Sequence, residues 1–226
     1  LFRSVVLEEA LQDEGISEYL NELTDHKVTV TVPRRGLKKE LVELVRSNII
    51  EKVGEAKILA TEIQEQLQLD WPVRAIECFD ISHLQGSDMV GAMVHFKDGK
   101  PIKSKYRKFH IKSVQGIDDF RAIEEVVQRR YQRLRKEQGD FPDLVLIDGG
   151  ALQLRFAQQA LEKLGLGNLP VAALAKREEE VYVPTTKKPL RLARDSLTLR
   201  TFMQARDEAH RFGLTFHRSL RKKKIQ

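Results

Sequence analysis

The chain has 226 residues, 41% hydrophobic and 32% charged, with a formal net charge of +6 and a single cysteine. That length supports a buried core in one domain, or one domain with an appendage. The lone Cys78 rules out an internal disulfide and suits a reducing, cytoplasmic setting, and no apolar run is long enough to cross a bilayer. Charge is polarised: residues 1–70 carry 9 basic and 14 acidic side chains, whereas residues 185–226 carry 12 and 3. A basic end of this kind serves either an anionic partner, above all nucleic acid, or a solvated tail.

Residues 1–23 read as one or two short helices interrupted at Gly15, with no secretory signal, because Leu1-Phe2-Arg3 leads into an acidic amphipathic stretch. The chain lacks an initiator methionine and begins inside an expected helix, so a fragment is the expectation. Lys27–Pro33 alternates as a strand. From Leu37 to about Leu69, apolar residues recur at helical spacing, Gly54 being a place to bend and Trp71-Pro72 the stop. Ala75–Ile81 and Met89–Lys97 are strands, the second closed by an Asp98-Gly99 hairpin turn, and the return strand is Ile102–Ile111. A helix over 118–136 starts at an Asp118 or Asp119 cap. Leu144–Ile147 is a buried strand, Ala151–Leu164 a helix ending at Gly165, Val171–Ala175 another buried strand and Val181–Pro184 a short extended piece. The last helix runs from about Ser196 to Ser219. A three-strand meander followed by strand–helix alternation implies an α/β fold. It is a mixed sheet flanked by helices in the ribonuclease H-like order, with the N-terminal strand and long helix appended. The expected division is a connecting arm over 1–70, a core over 71–217 and a basic tail over 218–226.

Three residues carry the chemistry. Asp80 ends the apolar run Ala-Ile-Glu-Cys-Phe-Asp, Asp148 ends Leu-Val-Leu-Ile-Asp, and His210 borders the apolar stripe Phe202, Ala205, Ala209, Phe212 and Phe216 of the last helix. If their strands lie side by side, the two carboxylates repel, and a hard divalent cation relieves that repulsion while stabilising an in-line phosphoryl displacement. Singly, Asp80 reads equally as a turn residue, Asp148 as a helix cap and His210 as a structural imidazole. Lys105, Arg107 and Lys108 on the return strand, Lys176 and Arg177 after the Val171–Ala175 strand, and Arg206 one turn from His210 are candidates for DNA phosphates. His83 is a candidate supporting residue. His217 shares the face of Arg206 and His210, but its spacing and the lack of thiolates argue against a zinc pair. No nucleotide-binding glycine loop, zinc module or serine-hydrolase elbow is present.

The stretches Phe-Asp-Ile-Ser-His (79–83), Tyr-Arg-Lys-Phe with Ile-Lys (106–112), Asp-Asp-Phe (118–120), Leu-Ile-Asp-Gly-Gly (146–150), Leu-Ala-Lys-Arg-Glu-Glu (174–179), Arg-Asp-Glu-Ala-His-Arg-Phe (206–212) and Thr-Phe-His-Arg (215–218) resemble, in order, the C-terminal endonuclease domain of the UvrC family. Val-Pro-Arg-Arg-Gly (32–36) resembles the connection upstream of it. The resemblance implies a ribonuclease H-like fold, with Asp80, Asp148 and His210 as a triad binding Mg2+ or Mn2+. It also implies incision of the damaged strand of double-stranded DNA on the 5′ side of a lesion in nucleotide excision repair. A UvrB-type helicase partner would be met through segments outside this chain, and the family's N-terminal nuclease domain and C-terminal helix-hairpin-helix pair are expected to be absent. One departure stands out: Ala151-Leu152-Gln153 follows Asp-Gly-Gly where the family usually shows Lys-Gly-Gln. Rival readings are a non-catalytic nucleic-acid-binding module and a junction or RNA-directed nuclease of the same fold. The slicer domain of Argonaute proteins has a similar Asp-Asp-His set.

Overall fold

The structure is a computed structural model that describes residues 3–7, 16–24, 26–83, 89–112, 118–176 and 178–224, with backbone only for residues 16, 17, 83 and 216–224. The chain divides into two compact units, 1–55 and 56–226. In the first, strand β1 (Ser4–Val6) pairs in parallel with β2 (Thr29–Thr31), and helix α1 (Ile16–Glu22) lies between them in sequence. The helix expected at the start is therefore a strand where the β-branched pair Val5-Val6 finds a partner, and Gly15 lies outside the described residues. The boundary falls within helix α2 (Leu37–Leu67), which Gly54 does not interrupt. The helix stops at Gln68, whose φ of 54° takes the backbone out of the right-handed region three residues before Trp71-Pro72.

In the second unit, β3 (Ala75–His83), β4 (Met89–Lys97), β5 (Lys100–Pro101) and β6 (Arg107–His110) form the antiparallel part of a sheet. Asp98 and Gly99 turn β4 into β5 with φ of 51° and 72°, the left-handed pair that an Asp-Gly hairpin supplies. The single return strand expected over 102–111 is broken. Ile102 still donates to the His95 carbonyl at 2.8 Å, then a 3-10 turn over Lys103–Lys105 loops out, and β6 rejoins β4 further along. Helix α3 (Asp119–Lys136) starts at Asp118, whose carboxylate accepts the Arg121 N–H at 3.0 Å. Then follow β7 (Leu144–Asp148), helix α4 (Ala151–Lys163), β8 (Val171–Ala175), β9 (Glu180–Tyr182) and helix α5 (Leu197–Lys224). The sheet order is β5-β4-β3-β7-β8-β9 with β6 also on β4, and β3, β7 and β8 are parallel at its centre. This is the mixed sheet flanked by helices that the sequence predicts.

Strand alternation assigns every core side chain to a face. Ile76 and Cys78 of β3, Leu144 and Leu146 of β7, and Ala172 and Leu174 of β8 share one buried cluster with Leu59, Ile63 and Leu67 of α2 and Leu199, Phe202, Ala205 and Ala209 of α5. Phe79, Val145, Ile147, Val171 and Ala173 face the other way, against Ile123, Val126, Val127 and Tyr131 of α3 and Ala157 and Leu161 of α4. The last turns of α2 thus belong to the core, and Glu62 ties them to α5 by accepting the Thr198 N–H at 2.9 Å and its hydroxyl at 2.8 Å. Asp143 anchors the central parallel pair, its carboxylate accepting the N–H groups of Arg74 and Ala75 at 2.9 and 2.8 Å while its own N–H donates to the Ala75 carbonyl.

One charged group is sunk in the α3 face. Glu77 is fully buried and takes a two-pronged contact from Arg130 of α3, at 3.0 and 2.5 Å, with His95 Nδ1 at 3.4 Å. Burial pushes its carboxyl up, but hydrogen bonds to His95 and Arg130 outweigh this and hold it below the usual carboxylate range. Removing one partner strands the other in an apolar core. Arg130→Met should therefore cost about 3–5 kcal/mol in urea unfolding, and the double change Glu77→Leu, Arg130→Met distinctly less. A single variant as stable as the parent would refute this account of the pair.

Candidate active site

Register and face parity build the site. β3 and β7 run parallel with Ile76 beside Leu144 and Phe79 beside Ile147, so the next residues along the two strands are Asp80 and Asp148. Both continue the series that faces α5, two residues after Cys78 and Leu146. β3 runs on through His83, two residues beyond the expected end at Ile81, and Asp80 sits within it, paired with Ala92 of β4. Asp148 is the last residue of β7. α5 packs over this face through Phe202, Ala205 and Ala209 and brings His210 to the same place. Asp80, Asp148 and His210 each offer one ligand atom, and these atoms lie within 4.8 Å of one another.

The two carboxylates have 4% side-chain exposure each, while the imidazole is 46% exposed, so the site is acidic and dry behind and open at the His210 side. His210 Nδ1 stands 3.8 Å from Asp80 Oδ1. Asp80 Oδ2 accepts a hydrogen bond from the Ser82 hydroxyl at 2.6 Å. Asp148 Oδ2 is buried and has no hydrogen-bond donor, although the ammonium of Lys176 stands 3.3 Å away as an ion pair. Burial, reinforced by the neighbouring Asp80 charge and only partly offset by Lys176, raises the Asp148 carboxyl to about 6. Two acidic groups sharing a sheltered space, one with an orphaned oxygen, and an imidazole at the rim form a donor set suited to a hard divalent cation. Nearby Cys78 is fully buried and its thiol is pushed well up by desolvation, which fits a small core residue.

The other candidates fall into distinct places. Lys176, just past β8, is exposed and joins the site through Asp148. Arg177 and the side chain of His83 lie outside the described residues, as do the side chains of Phe216, His217 and the basic tail. Arg206 is buried and engaged, its guanidinium 2.5 Å from Glu179 and 3.0 Å from Asp207. Glu179 itself has a φ of 52°, so this ion pair holds a left-handed residue in the loop that carries Lys176. Lys108 lies in a row with the site across the sheet, opposite Ala92, which in turn pairs with Asp80, and its ammonium lies 4.8 Å from the centre of the Phe212 ring. Arg107 donates to the carbonyls of Ser104 and Tyr106, and Lys105 is exposed on the 3-10 turn. At the departure from the family pattern, Gln153 reaches back to accept the Gly150 N–H at 3.1 Å, so the start of α4 is held without a lysine at 151. Ser82 and Glu179 escape sequence reading. For Ser82 the signal existed, since residues two apart on a strand share a face.

Comparison with known proteins bears on these geometric findings. A family model described as the UvrC RNAse H endonuclease domain matches residues 64–214, and one described as the UvrC Ribonuclease H-like domain matches residues 3–56. UvrABC system protein C of Methanosarcina acetivorans is 47% identical over 214 residues, which are 94% of this chain and 41% of that protein. Its counterpart in Porphyromonas gingivalis is 45% identical over 215 residues, 89% of this chain and 36% of that protein. The chain thus spans about two fifths of the length of the curated relatives it matches. Among solved structures, an Endonuclease V from Streptomyces avermitilis overlays with a TM-score of 0.41 at 14% identity, over 76% of this chain and 94% of that one, too loosely to build on. With the endonuclease-domain match running through the strands and helix that carry Asp80, Asp148 and His210, the chain belongs to the UvrC RNase H endonuclease domain family.

Proposed function

We propose that this chain is a metal-dependent DNA endonuclease that cuts the damaged strand of double-stranded DNA on the 5′ side of a lesion, in nucleotide excision repair. The observation that carries the reading is the meeting of two buried carboxylates and an imidazole, with one carboxylate oxygen unsatisfied. Asp80, Asp148 and His210 would hold Mg2+ or Mn2+. Such an ion, when bound, supplies positive charge at the phosphoryl oxygens and offsets the repulsion between the carboxylates. His210 at the open rim completes the site as a ligand or, alternatively, helps in proton transfer, and Lys176 is placed to meet the substrate phosphate beside Asp148. The name of the relatives, UvrABC system protein C, supports the repair setting and a UvrB-type helicase as partner, engaged through segments beyond this sequence. Among the described residues no helix is long and apolar enough to cross a membrane.

The direct test is incision of a duplex with one bulky lesion in Mn2+, with the nick mapped on a denaturing gel and a four-way junction and an RNA–DNA hybrid as competitors. Asp80→Asn and Asp148→Asn should each lower cutting by more than about 100-fold, since losing a ligand exceeds the 10–100-fold cost of losing a ligand's support. A nick on the 3′ side, or preference for the junction or the hybrid, would overturn the assignment.

The buried charge of Asp148 gives a second test. Asp148 has an ordinary value of 3.8 and sits at about 6 in the folded chain. The folded state therefore binds the proton more tightly, and metal-free stability falls as pH rises from about 3.8 through about 6. Above that window the buried charge costs roughly 1–3 kcal/mol. Asp148→Asn should raise metal-free stability at pH 7.5 by about that much and leave it unchanged or lower at pH 3.5. In saturating Mn2+ the order should reverse, because ligand stabilisation reaches only the parent. Thermal melts at the two pH values, with and without Mn2+, decide it, and no gain at pH 7.5 sinks the argument.

A further inference from the structure

The carboxylate of Asp80 is not free to turn. Residues 80 and 82 share one face of β3, and the Ser82 hydroxyl lies 2.6 Å from Asp80 Oδ2. An ionised carboxylate only accepts, so Ser82 is the donor, and the separation is that of a charge-assisted O–H···O bond. α5 covers this pair at its closest approach to the sheet. A Cβ placed on Gly213 would stand 3.1 Å from Asp80 Oδ2, 3.1 Å from Ser82 Oγ and 3.6 Å from the Ala92 Cβ. Gly213 is buried and Asp80 is 3% exposed, so water has little access to compete for the hydroxyl. A methyl group at 213 would press on both oxygens of the hydroxyl–carboxylate bond, and His210 is carried one turn earlier on the same helix.

From this we propose that Ser82 is the positioning residue of the metal site. It occupies Oδ2 of Asp80, under the cover of Gly213, so that Oδ1 alone is presented toward His210 and the space shared with Asp148. Asp80 then binds a divalent cation through one oxygen, and its rotamer is set before the cation arrives. This inference rests on the metal-binding reading above. Outer partners that orient a ligand commonly contribute 10–100-fold in metal affinity.

The test is Mn2+ titration by calorimetry of the full chain and its Ser82→Ala, Ser82→Thr and Ser82→Cys variants, with urea unfolding of each. Ser82→Ala should weaken Mn2+ binding by about 10-fold or more, Ser82→Thr should restore it, and Ser82→Cys, isosteric but a poor donor, should fall between. Should Ser82→Ala fail to fold, the contrast between Thr and Cys carries the result. Gly213→Ala should weaken binding as well, by pressing on the same two oxygens. Unchanged Mn2+ affinity in Ser82→Ala, or in Ser82→Cys where Ala does not fold, overturns the proposal, as does loss of affinity that only tracks loss of stability. A parent chain that binds no Mn2+ would refute the metal reading instead. In that case a metal-free crystal structure of Ser82→Ala still decides the role of Ser82, an Asp80 carboxylate swung away from Asp148 upholding it and an unmoved one rejecting it.

Discussion

Two negative charges are forced together where water is scarce, and much of the second unit is arranged around that fact. Parallel pairing of β3 and β7 sets Asp80 beside Asp148, and strand parity turns both toward α5 rather than toward α3 and α4. Burial first, and then the neighbouring Asp80 charge, make the ionised pair unfavourable, which is why the Asp148 carboxyl sits near 6. The energy that holds it in place comes from elsewhere: from the apolar clusters on both sheet faces and from Asp143, which pins the far end of the same strand pair. A site that binds cations well is by the same token one that the metal-free fold carries at a cost.

The molecule handles its two buried acidic centres in opposite ways. On the α3 face, Glu77 is matched by Arg130 and His95 and its carboxyl is held low, so the charge is neutralised inside the protein. On the α5 face, Asp148 has only an exposed lysine at ion-pair distance and an oxygen without a donor. Completed electrostatics make structure, and incomplete electrostatics make a place for something from solution. The two centres lie three residues apart on β3, on opposite sides of the sheet, so a single strand carries both.

Helix α5 serves as core and as wall of the site. Its first turns bury Leu199, Phe202 and Ala205, its middle turn clamps Glu179 through Arg206, and the following turns deliver His210 and press Gly213 onto Asp80 and Ser82. The same helix holds Glu179, three residues past Lys176, whose ammonium stands 3.3 Å from Asp148. Packing of one amphipathic helix on the sheet therefore settles the imidazole, the ammonium and the orientation of a carboxylate together.

Local pattern sufficed for the parts of this protein that obey local rules. Apolar runs marked the central strands, Asp98-Gly99 marked the hairpin, Asp118 marked the start of α3, and 3.6-residue spacing marked α2 and α5. The acidic residues ending two apolar runs, and the histidine beside an apolar stripe, were legible as a candidate triad for the same reason. What local pattern could not supply was partnership. Val5-Val6 became a strand because β2 was there to pair with it, and the return strand broke after Ile102, where the 3-10 turn over Lys103–Lys105 loops out between β5 and β6. Arg206 read as a cation for DNA and is spent on Glu179 and Asp207, a pairing across a turn that no spacing announces. The sequence by itself determined which residues carry charge, which face of each element is apolar and which family the motifs resemble. Tertiary structure alone decided which charges meet and which are neutralised, because those depend on distances between segments as far as 130 residues apart that only the packed sheet and α5 bring within contact.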